Sequence, residues 1–219
     1  METSPSRPIK IDWNCKVIRG MPRPALPKRE TFRHGNLPEA LLEATLTRIE
    51  TSGANAIKLR DLAYDTGVNH RAIYRHFPNK ETLLADAAER CWREFIRRMR
   101  VATADKPQGE AMLVAAGVAM FEYGRDNPNH FHFATGAYPS MGIRFPRLEA
   151  AIRDAIQIIA TGFAGTGLAP DQVIGHAAIY IAALHGIVSQ YLHRRLRIRP
   201  EHATDWITET CVMLIKGLK

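Results

Sequence analysis

From residue 37 onward the apolar positions recur every three to four residues, and no segment alternates strictly between apolar and polar. That rhythm predicts helices and no sheet. A first helix is expected over about 37–51, with Leu41, Ala44, Thr45 and Ile49 on one face and Leu42 and Leu46 beside them. Asn36 is placed to cap it, Pro38 sits in its first turn, and Glu39 follows Asn36 by three residues, as in a capping box. Gly53 ends it. Two short helices are expected over 59–77, stopped by Pro78. Asn79 then caps a long helix to about Val101, whose apolar stripe is Leu83, Leu84, Ala87, Ala88, Cys91, Trp92, Phe95 and Met99. Pro107 and Gly109 mark a break. Further helices are expected at about 111–125, 128–135, 144–164, 170–196 and 204–218, which together read as a helical bundle. The predicted fold class is all-α.

Residues 59–80, LRDLAYDTGVNHRAIYRHFPNK, carry the most information. Ala63 is small enough for two helices to approach. Gly67, four residues later, suits a positive φ that only glycine takes at little cost. Val68 and Ile73 can fill the angle between the helices, and Asn69 can cap the second by accepting from its free N–H groups. This is a helix-turn-helix pattern, in which the second helix enters the major groove of DNA. Phe77 and Leu62 are expected in the core. Arg71, early in the second helix, can bond both acceptors of a guanine edge and is the first candidate for reading bases, with His70 beside it. Lys58, Tyr74, His76 and Lys80 are expected at phosphates, where helix N-termini also offer N–H groups to an anion. Asn69 and Arg75 complete the DNA-facing set. Tyr74 has a second reading, as a half-buried ring between helices. One base contact discriminates by only about 1–3 kcal/mol, so a dimer on a two-fold site is expected.

The order Leu59-x-x-Leu62-Ala63-x-x-x-Gly67-Val68-Asn69-x-x-Ala72-Ile73-Tyr74-x-His76-Phe77-x-x-Lys80-Glu81-x-Leu83-Leu84 resembles the TetR family of bacterial transcription regulators. The likeness covers roughly residues 33–84. It departs from the family's habit at Lys58, at Thr66 where Ala is usual, and at Asn69 where Ser is usual; Asn caps as well as Ser. The resemblance implies backbone contacts from the positions of Tyr74, His76 and Lys80. It also implies a homodimer through the last two helices and a small-molecule inducer bound in the helical body. Ala183-Leu184-His185-Gly186-Ile187-Val188-Ser189 further resembles the WHG signature of one subgroup, with Leu184 where Trp is usual.

Charge agrees with a nucleic-acid partner. The net charge is +8, and residues 1–104 hold 19 Lys and Arg against 12 Asp and Glu, whereas residues 105–219 hold 11 against 10. A basic region attracts the phosphate backbone by releasing counterions. Residues 1–33 are broken by Pro5, Pro8, Pro22, Pro24 and Pro27 and made basic by Arg19, Arg23, Lys28, Arg29 and Arg33. They read as a flexible arm, either reaching into the neighbouring minor groove or making no contact. Met21 leaves the native start open. The domain plan is therefore an arm (1–33), a helix-turn-helix head (34–80) and a helical body (81–219). The end of the long helix is basic on its outer face through Arg90, Arg93, Arg97, Arg98 and Arg100.

Within the body, Gly175, Ala178, Ala182, Ala183 and Gly186 on the penultimate helix permit close approach of another helix. The last helix presents Ile207, Cys211, Leu214 and Leu218. These faces are either a two-fold four-helix interface or the core of one chain. Trp92, Phe95, Met120, Phe121, Phe131, Phe133, Tyr138 and Met141 collect between head and last helices, with His132, His176, Tyr180 and His185 as sparse polar groups. That composition suits either plain core or a pocket for a small, largely apolar ligand.

Other chemistries find no footing. His130-x-His132 lacks a third metal ligand at a defined spacing. Gly162-x-x-Gly165-x-Gly167 follows a helix rather than a strand, with no Lys-Ser or Lys-Thr after it, and no G-x-S-x-G elbow occurs. No enzyme, cofactor or metal is expected. With 46% hydrophobic and 24% charged residues the chain is of ordinary globular composition. The longest apolar run, 173–192, is interrupted by His176, His185, Ser189 and Gln190, so no membrane span is expected. No signal peptide is visible, and Cys15, Cys91 and Cys211 are too scattered for a disulfide framework. The expectation is a cytoplasmic repressor on a palindromic operator in double-stranded DNA, released by an inducer.

Overall fold

The computed structural model of the chain describes residues 36–136 and 145–218. The basic arm with Arg33, and Cys15, Tyr138 and Met141, fall outside the described residues. Among the described residues every regular element is helical: α1 (Leu37–Ser52), α2 (Leu59–Thr66), α3 (His70–Ile73), α4 (Lys80–Thr103), α5 (Glu110–Asp126), α6 (Pro128–Thr135), α7 (Pro146–Ala164), α8 (Pro170–Leu192) and α9 (Ala203–Gly217).

The period-3.6 pattern places the α1 stripe as expected, with Leu41, Thr45 and Ile49 fully buried. The Thr45 hydroxyl is satisfied by donating 2.7 Å to the Leu41 carbonyl. The capping box does not form. Asn36 makes no side-chain cap, and Glu39 reaches away to Arg90 of α4, which also bonds Glu43 at 2.8 Å. A guanidinium is a stronger partner for a carboxylate than a backbone amide is. Gly53 closes α1 at φ 75°, its N–H 2.9 Å from the Ile49 carbonyl.

α4 is the axis of the molecule. Its 24 residues span about 36 Å at 1.5 Å per residue. The Asn79 side chain accepts from the Thr82 N–H at 2.8 Å and starts it. Its stripe from Leu83 to Met99 is buried throughout, and it packs against α1, α5, α6 and α7. The basic outer face is neutralised within the chain. Arg93 pairs with Glu89 and with Asp154 of α7, Arg97 and Arg98 with Glu94, Arg98 also with Asp126 of α5, and Arg90 with α1. The hydrogen bond from Arg97 is the main reason the Glu94 carboxyl is lowered to about 2.

α5 is enclosed by α4, α7, α8 and α9. Gly117 makes that closeness possible. A Cβ there would lie 2.5 Å from Cys211 Sγ and 2.7 Å from Tyr180 Oη. α8 ends at Leu192, four residues short of the expected end, because the chain turns away through Arg194 at φ 56°. α9 corrects one expectation. Ile207 and Cys211 are fully buried in the chain's own core and so are not outward interface residues, while Leu214 and Leu218 pack partly against that core. The stripe is inward because α9 lies along α5.

Candidate nucleic-acid interface and internal cavity

The turn between α2 and α3 is set by Gly67, at φ 68° and ψ 22°. The Val68 N–H bonds the Ala63 carbonyl at 3.0 Å and the Gly67 N–H bonds Tyr64 at 3.2 Å, the paired closure of a Schellman turn. Asn69 Oδ1 then accepts from the Arg71 N–H at 2.9 Å and starts α3. The regular part of α3 is only four residues. It continues as a turn in which the His76 and Phe77 N–H groups bond the Ile73 carbonyl at 3.0 and 2.9 Å. Leu62, Ile73 and Phe77 are buried and pin this unit from within. Arg48 of α1 holds α2 from the side, through Asp61 and a two-pronged bond to Asp65.

With Leu62, Ile73 and Phe77 turned inward and Asp61 and Asp65 held by Arg48, the outer surface around α3 is mainly cationic. Lys58, Asn69, Arg71, Tyr74, Arg75 and His76 are exposed, and His70 and Lys80 are partly so. Tyr74 is 46% exposed and meets His70 edge-on at 5.1 Å between ring centroids. Lys58, Arg71, Arg75 and Lys80 make no ion pair among the described residues, in contrast to the arginines of α4. Tyr64 on α2, 74% exposed, was not anticipated. No sequence signal separated it from the other polar-face residues of α2.

The body contains an apolar cavity of about 80 Å³. Its walls are Trp92, Phe95 and Met99 of α4, Ala116 and Met120 of α5, Ile152, Ala155, Ile156 and Ile159 of α7, and Ile181 and Leu184 of α8. Of the residues expected to form a pocket, Trp92, Phe95 and Met120 line it. Phe121, Phe131 and Tyr180 do not; they are solid core, at most 1% exposed. Tyr180 is spent on a 3.0 Å bond to the Leu113 carbonyl. His132 and His185 lie elsewhere, on a small aromatic cluster with Phe131 and His193; the His132 and His193 rings are 4.7 Å apart. Burial, and then His193 and His185, lower the His132 pKa, and burial lowers that of His185. The α7 lining carries no aromatic or sulfur side chain to set it apart from ordinary core in the sequence. Its spacing, 152, 155, 156, 159, is the helical i, i+3, i+4, i+7 pattern and marks one inward face.

Two family descriptions match this architecture. Residues 41–87, which hold the turn and its flanking helices, match "Bacterial regulatory proteins, tetR family". Residues 113–214 match "Tetracyclin repressor-like, C-terminal domain". The chain belongs to the TetR family. It is a DNA-binding transcriptional regulator of that family and not an enzyme. The subgroup suggested by Leu184-His185-Gly186 is not confirmed by the C-terminal match.

The nucleoid occlusion factor SlmA of Escherichia coli O1:K1 is 24% identical over 187 residues, covering 81% of this chain and 93% of that protein. Two solved structures share the fold. BioQ with its natural double-stranded DNA operator has a TM-score of 0.62 at 17% identity, covering 83% of this chain and 96% of BioQ. A TetR variant from Acinetobacter baumannii AYE in complex with minocycline has a TM-score of 0.60 at 17% identity, covering 81% and 93%. The first match spans most of α1, all of α2 and α3 and the start of α4, and the second spans most of α5 through α9.

Proposed function

We propose that the chain is a cytoplasmic repressor that binds a palindromic operator as a homodimer and leaves it when a small apolar ligand enters the body. The supporting observation is the cationic surface around α3, which makes no ion pair among the described residues, beside an α4 whose arginines each face a carboxylate. In this reading Arg71 and His70 read base edges. Lys58, Asn69, Tyr74, Arg75, His76 and Lys80 hold phosphates, and the arm with Arg33 follows the neighbouring groove. The working units are the arm (1–33), the head (34–80) and the body (81–219).

The outer face of α8 supports self-association. The helix is long and apolar enough to cross a membrane, yet only 22% of its most apolar window is buried. Ile174 and Ile179 are each 55% exposed, between exposed Gly175, Ala178, Ala182 and Gly186. A Cβ on Gly175 or Gly186 would meet nothing within 4 Å. A second α8 can therefore approach closely, with Met213 of α9, 65% exposed, at the flank. The interface proposed here uses these residues and not the buried stripe of α9.

Release follows from linkage. A ligand that favours a head spacing unsuited to successive major grooves weakens DNA binding by the same factor by which DNA weakens the ligand. α4 connects cavity and head and is the lever. The test is footprinting of the DNA flanking the gene, with the protein's mass in solution measured in parallel. A symmetric footprint with half-sites one or more helical turns apart, from a dimer, is the expected result. Equal affinity for random duplex at matched salt would overturn it.

A further inference from the structure

We infer that the cavity between α4, α5, α7 and α8 takes an uncharged hydrocarbon group, an aromatic ring or short branched alkyl without hydrogen-bonding atoms. The inference rests on the ligand-release reading above, and names the ligand class for it. Every wall residue is apolar: one indole, one phenyl, two thioethers, and otherwise isoleucine, leucine and alanine. The one polar side-chain atom among them, Trp92 Nε1, already donates to the Ala134 carbonyl at 3.1 Å. A hydroxyl, amide or carboxylate entering this space finds no free side-chain donor or acceptor, and loses its hydration uncompensated. The hydroxyl and imidazoles expected to orient a ligand are absent from the walls, since Tyr180, His132 and His185 lie outside them.

Size narrows the class further. About 80 Å³ is below the roughly 150 Å³ of a dry engineered cavity that admits benzene. It is also far below the roughly 300–1,000 Å³ of sites for drug-sized ligands. A ring therefore enters only if part of the wall yields. Met99 and Met120 can yield, because unbranched thioether chains change rotamer at small cost. The isoleucines of α7 are branched at Cβ and hold their shape. The expected occupant is of benzene size, seated against α7 with the two methionines displaced.

The probes are benzene and phenol, with the full chain. Benzene should raise the melting temperature saturably and shift the Met99 and Met120 methyl signals in NMR. Phenol should bind about tenfold or more weakly, since its hydroxyl would be buried unpaired. Ala155→Leu, which fills the cavity from the rigid side, should abolish the benzene effect. Met120→Ala, which enlarges it, should admit toluene better than the native protein does. Phenol binding as tightly as benzene, or benzene binding unchanged in a cooperatively folding Ala155→Leu protein, would overturn the inference. So would failure of benzene to bind both the native protein and Met120→Ala. Benzene bound at the methionines with no change in operator affinity supports the cavity assignment, and overturns only the ligand-release reading.

Discussion

The indole nitrogen of Trp92 donates to the carbonyl of Ala134 and thereby ties the cavity wall on α4 to the last turn of α6. The other end of α6 is fastened to the head. Asn129 donates to the Glu50 carbonyl, and the His130 ring nitrogen lies 3.0 Å from that of Leu46, both on α1. A path of direct contacts therefore joins cavity, α6 and α1.

Trp92→Phe keeps the apolar bulk and removes the donor. The Ala134 carbonyl belongs to the last turn of α6, where no further helical N–H can replace it. The expected loss is about 1–3 kcal/mol of stability, read from urea unfolding. An unchanged midpoint and slope would show that the bond contributes nothing.

Gly67→Ala tests the turn itself. Nothing lies within 4 Å of the added Cβ, so the whole cost is backbone, from φ 68°. It should be about 1–2 kcal/mol, seen as a lower melting temperature, with Gly67→Asn losing less. A larger loss would mean that the turn is tighter than its geometry indicates.

The two kinds of cation in the head should separate by salt. Arg71→Ala should weaken operator binding by about 1–3 kcal/mol and relax base preference at one position of each half-site. Lys58→Ala should weaken operator and random duplex alike and lower the salt slope by about one per head. Titrations at several salt concentrations measure both, and identical profiles for the two variants would refute the division of roles.

The His132 cluster sets a pH dependence. Both His132 and His185 are lowered from 6.5 in the folded chain, so near that pH the unfolded chain binds protons that the folded chain refuses. Stability therefore rises with pH: their contribution is complete above 6.5 and is lost as pH falls through the folded values. Urea midpoints at about pH 7.5 and about pH 5.5 should differ more for the native protein than for His132→Gln. An equal difference would assign the acid sensitivity to other groups.

Element type and most helix ends were legible in the sequence wherever a local rule acted alone. Gly53, Gly67, Asn69 and Asn79 do what their chemistry dictates within a few residues of themselves. Glu39 failed as a capping residue because a distant arginine, 51 residues along the chain, outcompeted its neighbour. The sequence left the face of α9 open between interface and core for a related reason: periodicity reports that a stripe is buried, not against what. The exposed set around α3 was readable from the turn, since the apolar residues fix which side faces out. The cavity was only partly readable, because its walls come from four helices whose registers relative to one another no single segment specifies.

The arginine pairs of α4 carry a consequence for sequence drift. Arg90 is kept electrically quiet by two acids on a neighbouring helix, Glu39 and Glu43. A neutral replacement of either acid leaves every DNA-facing residue intact, yet it uncovers part of a guanidinium close to the head. Such a change would strengthen indiscriminate attraction to any duplex and so blunt selectivity without touching the reading surface. On the proposed reading, selectivity would then depend partly on carboxylates that lie outside the proposed DNA-facing set.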